Sequence, residues 1–257
     1  MRRSCLPAVS ALVLLAALMM ASDAFSDGDP ASDVLVNVDV YLSEAPTAPP
    51  ASTLVERVRA INAAGYRLKV AVIASPSDLG SVPSLYGRPR YYARFLGIEL
   101  GLIYKGSLLI AMPAGFGFYH HGRQTVAEDK ALGPLRTGST EQTLVAATLK
   151  AVNAVTIATG HPVILTYTAH RSTRLVRVAY QTLLRDGSLG RLRVVLRSQG
   201  RILASSTALV HGRGMPSNGG TTIPVTARAS QLAGLQICTT LSAGGRTSIS
   251  SCRRVAG

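Results

Sequence analysis

Residues 66–119 constrain this chain more than any other stretch. They read YRLKVAVIASPSDLG, then RPRYYARFLGIELGLIYKG and SLLIAMPAGFGFY. In the first run Leu68, Val70 and Val72 face one side and Ala71 and Ile73 the other. A strand apolar on both faces belongs in a sheet covered by helices on each side. In the second run Pro89 stands where a first-turn proline belongs. Tyr91, Phe95, Ile98 and Leu102 follow at i, i+4, i+7 and i+11, which predicts a helix with these four on its core face. Gly106 stops that helix, Ser107–Met112 is another covered strand, and Pro113-Ala-Gly115 turns the chain into Phe116–Tyr119.

The flanks extend this unit. Val34–Leu42 (VLVNVDVYL) alternates apolar and polar residues and predicts a half-buried strand. A proline-rich loop, EAPTAPPAS, follows it. Thr53 and Glu56 have the spacing of a capping box opening a helix with Leu54, Val58 and Ile61 on one face, closed by Gly65. Residues 121–139 are polar and glycine-rich and predict a loop. A last helix from Thr140 to Thr159 carries Val145, Leu149, Val152 and Thr156 on one face. The expected fold of residues 34–160 is an α/β sandwich domain.

The residues "GYRLKVAVIASPSDLG", "YYARFLGIELGLIYKGSLLIAMP" and the glycine-rich turn after them resemble the TPM domain of exported and membrane-associated envelope proteins. The family's usual D-x-A-G opening is replaced here by VDVYLSEAP. The resemblance implies an extracytoplasmic module linked to assembly or maintenance of larger complexes. Phosphatase activity is attributed to one member, and no residue here matches a motif for it.

The period changes after Gly160. VILTYTA, RLVRVAYQTLL, RLRVVLRS, RILASSTA, TTIPVTARA, LQICTTL and RTSISSCRRV are short runs rich in β-branched residues. Asp186-Gly187, Gln199-Gly200, Gly219-Gly220 and Gly244-Gly245 separate several of them. Seven strands over residues 161–257 predict an all-β immunoglobulin-like or fibronectin-like sandwich, without an antibody domain's tryptophan or cysteine spacing.

At the other end, Arg2-Arg3 precede the apolar run Leu6–Ala21, and Ser22-Asp23-Ala24 offers small residues for cleavage. Residues 1–24 read as a secretory signal peptide, with retention as an uncleaved anchor the alternative. Residues 25–33 are polar and acidic and read as a flexible N-terminus. The product is expected outside the cytoplasm, in the cell envelope. Cys5 leaves with the signal, so Cys238 and Cys252 remain as a pair in an oxidising compartment. A three-residue turn at Gly244-Gly245-Arg246 pairs residue 243 with 247 and sets Cys238 opposite Cys252. That predicts a cross-strand disulfide on the outer face of the last hairpin.

Charge is divided unevenly. Residues 25–160 hold 12 Lys and Arg against 11 Asp and Glu, whereas residues 161–257 hold 13 Arg, no Lys and one acid, Asp186. With Leu192, Val194 and Leu196 turned to the core, Arg191, Arg193 and Arg197 share the outer face, and Arg177 and Arg185 are expected to extend it. Anionic envelope polymer or lipid headgroups are the expected partners; a protein partner is the other class, and export argues against nucleic acid.

Chemistry is sparse. His120 and His121 are adjacent, so on a strand they point to opposite faces and do not share a metal. Asp78 reads as a turn cap and is the carboxylate to test first if the chain is an enzyme. Gly115-Phe-Gly117 lacks the spacing and lysine of a phosphate loop, and no nucleophile or metalloprotease motif is present. No catalytic residue, metal ligand or cofactor is expected. The favoured function is non-catalytic binding or scaffolding in the bacterial cell envelope. The alternative is a phosphatase-like hydrolase with its site near Asp78 and Gly115.

Overall fold

The computed structural model describes residues 28–43, 49–172, 175–225, 234–248 and 252–255. The export signal expected over residues 1–24 lies outside them. Among the described residues no helix is long and apolar enough to cross a membrane.

The α/β unit is built on a four-stranded sheet of order β1-β2-β3-β4, from β1 (Val40–Tyr41), β2 (Leu68–Val72), β3 (Ser107–Met112) and β4 (Gly115–His120). The first three strands are parallel and β4 returns antiparallel on β3. One face, with Leu68, Val70, Val72, Leu109 and Ala111, packs on α2 (Ala51–Ala63) and α5 (Glu141–Ala158). The other, with Ala71, Ile73, Leu108, Ile110 and Met112, packs on α1 (Pro30–Leu35) and α3 (Pro89–Glu99). A short helix, α4 (Val126–Leu132), lies in the stretch read as a loop; Glu128 and Asp129 in its first turn suit the helix dipole.

Four expectations for this unit and its N-terminal flank change. Val34–Leu42 is not a strand: Asp29 caps α1, accepting from the Ala31 amide at 3.2 Å, and Pro30 sits in its first turn. The flexible N-terminus expected over residues 25–33 therefore contains an ordered helix start, and only Val40 and Tyr41 pair with β2. The Thr53–Glu56 capping box does not form, because α2 starts earlier and the Leu54 amide donates to the Pro50 carbonyl. The core face of α3 is Tyr92, Ala93, Leu96 and Gly97, whereas Tyr91, Ile98 and Leu102 are exposed. Gly97 decides this rotation, because a Cβ there would overlap the Tyr119 ring of β4.

The β half is a sandwich. Strands β5 (Val163–Arg171), β6 (Leu175–Leu183) and β9 (Ser217–Pro224) form a sheet of order β5-β6-β9. The facing sheet has the order β11-β10-β7-β8, from β7 (Leu189–Ser198), β8 (Arg201–His211), β10 (Gln236–Ala243) and β11 (Arg246–Ser248), with β12 (Arg253–Arg254) also on β10. Tyr167, Val176, Val178, Leu192, Val194, Leu196, Ile237 and Leu241 meet between the sheets. Gly219-Gly220, read as a separator, lies inside β9, since a Cβ at Gly219 would strike the Tyr180 ring. The end of the run TTIPVTARA, residues 226–229, lies outside the described residues.

Cys238 and Cys252 are disulfide-bonded. The register differs by one from that expected at the turn: Ala243 pairs with Arg246 across a two-residue Gly244-Gly245 turn, both at positive φ. Nearer the bridge, Ile237 pairs with Arg253 and Gln236 with Arg254, which sets Cys238 level with Cys252. Such a bridge is the kind that oxidising compartments preserve.

The two halves share a core. Val163 and Leu165 of β5 and Leu183 of β6 are buried with the α2 and α5 side chains.

Candidate functional site

The end of β4, the loop into α4, the end of α5 and the β10–β11 hairpin converge where the two halves meet. They line an open-mouthed cavity of about 520 Å³ that includes Tyr66, His120, Arg123, Glu128, His161 and Arg246. His161 follows the left-handed Gly160 that ends α5, so its place at the boundary is set by the helix stop. Its ring stacks on Tyr66 at 4.9 Å between centroids. The tight Gly244-Gly245 turn carries Arg246 back toward the α/β unit, where its guanidinium lies 2.9 Å from Nδ1 and 3.1 Å from Nε2 of His161. An arginine has only donors, so the ring nitrogen it meets is an acceptor and His161 is neutral in this arrangement. Arg123 donates to the carboxylate of Glu128, which is almost fully buried.

The electrostatics favour an anion. Burial, then the Arg246 and Arg123 charges, hold the His161 pKa below its ordinary value. Burial likewise lowers that of His120, and pushes the Tyr66 hydroxyl up to about 12. Glu128 offsets Arg123, so the lining keeps the unbalanced charge of Arg246. A carboxylate or phosphate entering here meets guanidinium donors, and its charge raises the proton affinity of the ring.

The residues singled out from sequence fall elsewhere. One carboxylate oxygen of Asp78 accepts from the amides of Ala74 and Ser75 at 2.8 and 2.9 Å, in a capping box with Ser75. Arg191, Arg193 and Arg197 are exposed on the outer face of β7, as the alternation with Leu192, Val194 and Leu196 requires. Arg177 is not with them: it projects from β6, which belongs to the opposite sheet. Arg185 lies in the β6–β7 connection, its carbonyl accepting from Ser188. Arg254 takes the vacated place, since Gln236 pairs with both Arg197 and Arg254 and puts them on one face. His120 turns into the junction cavity, and His121 lies beside Gly101. Among the described residues no group of three His, Cys, Asp or Glu side chains is placed to hold a metal ion. Arg123, His161 and Arg246 are far apart in sequence and no motif joins them.

A second cavity, of about 480 Å³, opens beside Gly115 at the carboxyl end of β3, with Arg88, Arg90, Asp129 and Arg136 in its lining.

No family model matches this chain, and no curated protein does. Two solved structures of a glycosyl hydrolase family 2 member from Bacteroides cellulosilyticus are similar to 35% of it at 13% identity, with TM-scores of 0.29 and 0.28. The shared stretch spans 14% and 13% of those chains.

Proposed function

We propose that this chain is an exported binding protein of the bacterial cell envelope, without chemistry of its own, that holds an acidic group in the junction cavity. The observation that carries the reading is the convergence of Arg123, Arg246, His120 and His161 on one concave space between two structural units. Export rests on the Arg2-Arg3 and Leu6–Ala21 pattern together with the Cys238–Cys252 bridge. In this reading residues 34–160 are a TPM-like domain. The sheet orders β5-β6-β9 and β11-β10-β7-β8 support an immunoglobulin- or fibronectin-like sandwich for residues 161–257. The exposed arginines of β7 add a broad attraction for anionic wall polymer or headgroups.

An anion in the cavity counters the arginine charges that depress His161, so binding takes up a proton and tightens as pH falls. Calorimetry with inorganic phosphate and with acetate, on either side of pH 6.5, tests this. Binding that strengthens at the lower pH and is lost in Arg123→Gln with Arg246→Ala supports the reading. Equal or absent heats in wild type and variant reject it.

The cavity beside Gly115 favours a second reading, a phosphatase-like hydrolase, because ligands of α/β sheets gather at the carboxyl ends of parallel strands. Phosphatase assays with and without divalent metal separate the two. Turnover lost in Arg88→Ala with Arg136→Ala, and kept in Asp78→Asn, supports the hydrolase.

A further inference from the structure

Helix α3 and the 3-10 turn after it (Leu100–Leu102) are apolar on two faces, and the sheet takes only one. The other holds Tyr91, Ile98 and Leu102 at 71%, 60% and 93% exposure, with Phe95 half-buried among them. Ile103, 59% exposed, continues it. The stripe runs for about 16 Å along the helix. At 3.6 residues per turn, Arg90 and Arg94 fall on one flank of the stripe and Glu99 on the other. Large apolar side chains grouped this way on an exposed helix mark a contact surface.

We propose that this stripe docks on an anionic lipid bilayer, with α3 lying in the plane of the membrane surface. Tyr91, Ile98 and Leu102 enter the boundary between headgroups and acyl chains, and Arg90 and Arg94 meet lipid phosphates. Two observations choose lipid as the occupant. The first is local charge: Arg90 and Arg94, both exposed, line one flank of the stripe and complement an anionic surface. The second is the tether. The apolar run Leu6–Ala21 ends eight residues before Asp29, whose carboxylate accepts from the Tyr92 hydroxyl at 2.7 Å on the same helix. Eight residues reach at most about 28 Å. Whenever that run sits in a bilayer, before cleavage or as a retained anchor, α3 is held within that distance of the lipid. The surface is separate from the junction cavity, so the two proposals fail separately.

The chain has no tryptophan, so one introduced indole reports on one surface. Residues 25–257, which contain every described element, are prepared as Leu102→Trp and as Leu209→Trp. Leu209 is 62% exposed on β8, opposite Arg191 on the arginine face. Each is mixed with vesicles of phosphatidylglycerol and phosphatidylcholine in equal parts, with and without brominated acyl chains. The expected result is a blue shift and bromine quenching at Leu102→Trp and neither at Leu209→Trp. Adding Ile98→Glu removes both signals and lowers cosedimentation about tenfold. The proposal is overturned if the protein does not cosediment, or if it does so with the indole of Leu102→Trp still in water. It is overturned too if that indole is buried without vesicles. A dimer in sedimentation equilibrium then identifies a second copy as the occupant, and a monomer buried only in the chain from Met1 identifies the apolar run.

Discussion

Asp29 is 3% exposed, and both its oxygens lie within 2.8 Å of the Tyr92 hydroxyl, which donates to them. Burial raises its pKa, more than the bonds from Tyr92 and Ala31 lower it. A carboxyl with a raised folded pKa adds stability below its unfolded value of 3.8 and loses it as pH rises through the folded pKa. Asp29→Asn keeps an acceptor for Tyr92 and is expected to flatten the pH dependence of urea unfolding between about pH 4 and neutrality. Asp29→Ala removes the cap and the acceptor together and is expected to cost about 1–3 kcal/mol. His161 carries the opposite dependence. Its folded pKa is depressed, so its contribution is complete above the ordinary value of 6.5 and declines as pH falls below it. Proton NMR of the ring is expected to show titration below that value, moving up on adding phosphate and moving up without phosphate in Arg246→Ala. A ring that titrates identically in all three states removes His161 from the site.

Helix α3 and the last hairpin show how an element settles between alternatives. Periodicity alone makes Tyr91, Phe95, Ile98 and Leu102 as good a core stripe as Tyr92, Ala93, Leu96 and Leu100. Close approach to β4 decides between them, because Gly97 admits the Tyr119 ring and a larger residue does not. Gly97→Val is expected to destabilise by about 1–3 kcal/mol, and pairing it with Tyr119→Ala should recover part of the loss. In the hairpin, the bridge joins residues 14 apart. On the chain-entropy model, Cys238→Ser with Cys252→Ser costs about 3 kcal/mol in denaturant unfolding. Unchanged midpoints would mean that pairing with β7 and β11 already orders β10.

The whole molecule is more than two modules in series. Val163 and Leu183, both fully buried, belong to the β strands yet pack on α2 and α5. Cutting at Gly160 would expose them, so the arginine face is best tested in the whole chain. Arg191→Glu with Arg193→Glu is expected to weaken retention on anionic wall polymer several-fold at low salt. The difference should fade as salt screens exposed charges, over about 10 Å at 0.1 M. Retention unchanged at every salt concentration would assign the arginines to solvent alone.

The division into an α/β half and a β half was legible because hydrophobic period is a local property: both-face apolar runs at β2 and β3, a 3.6-residue period in α5, and alternation in β6 and β7. The bridge was legible for the same reason, since cysteine pairing across a short hairpin depends on nearby residues. The exposed face of α3, the helix Pro30–Leu35 that displaces the start of the strand expected over Val34–Leu42, and the departure of Arg177 from the arginine face were decided only by the tertiary structure. Each depends on which surface arrives opposite: Tyr119 against Gly97, Tyr92 against Asp29, one sheet or the other for β6. The junction cavity belongs there too. Arg123, His161 and Arg246 come together because a helix stop, a strand end and a two-residue turn point at one place, and no sequence spacing encodes where separate elements meet.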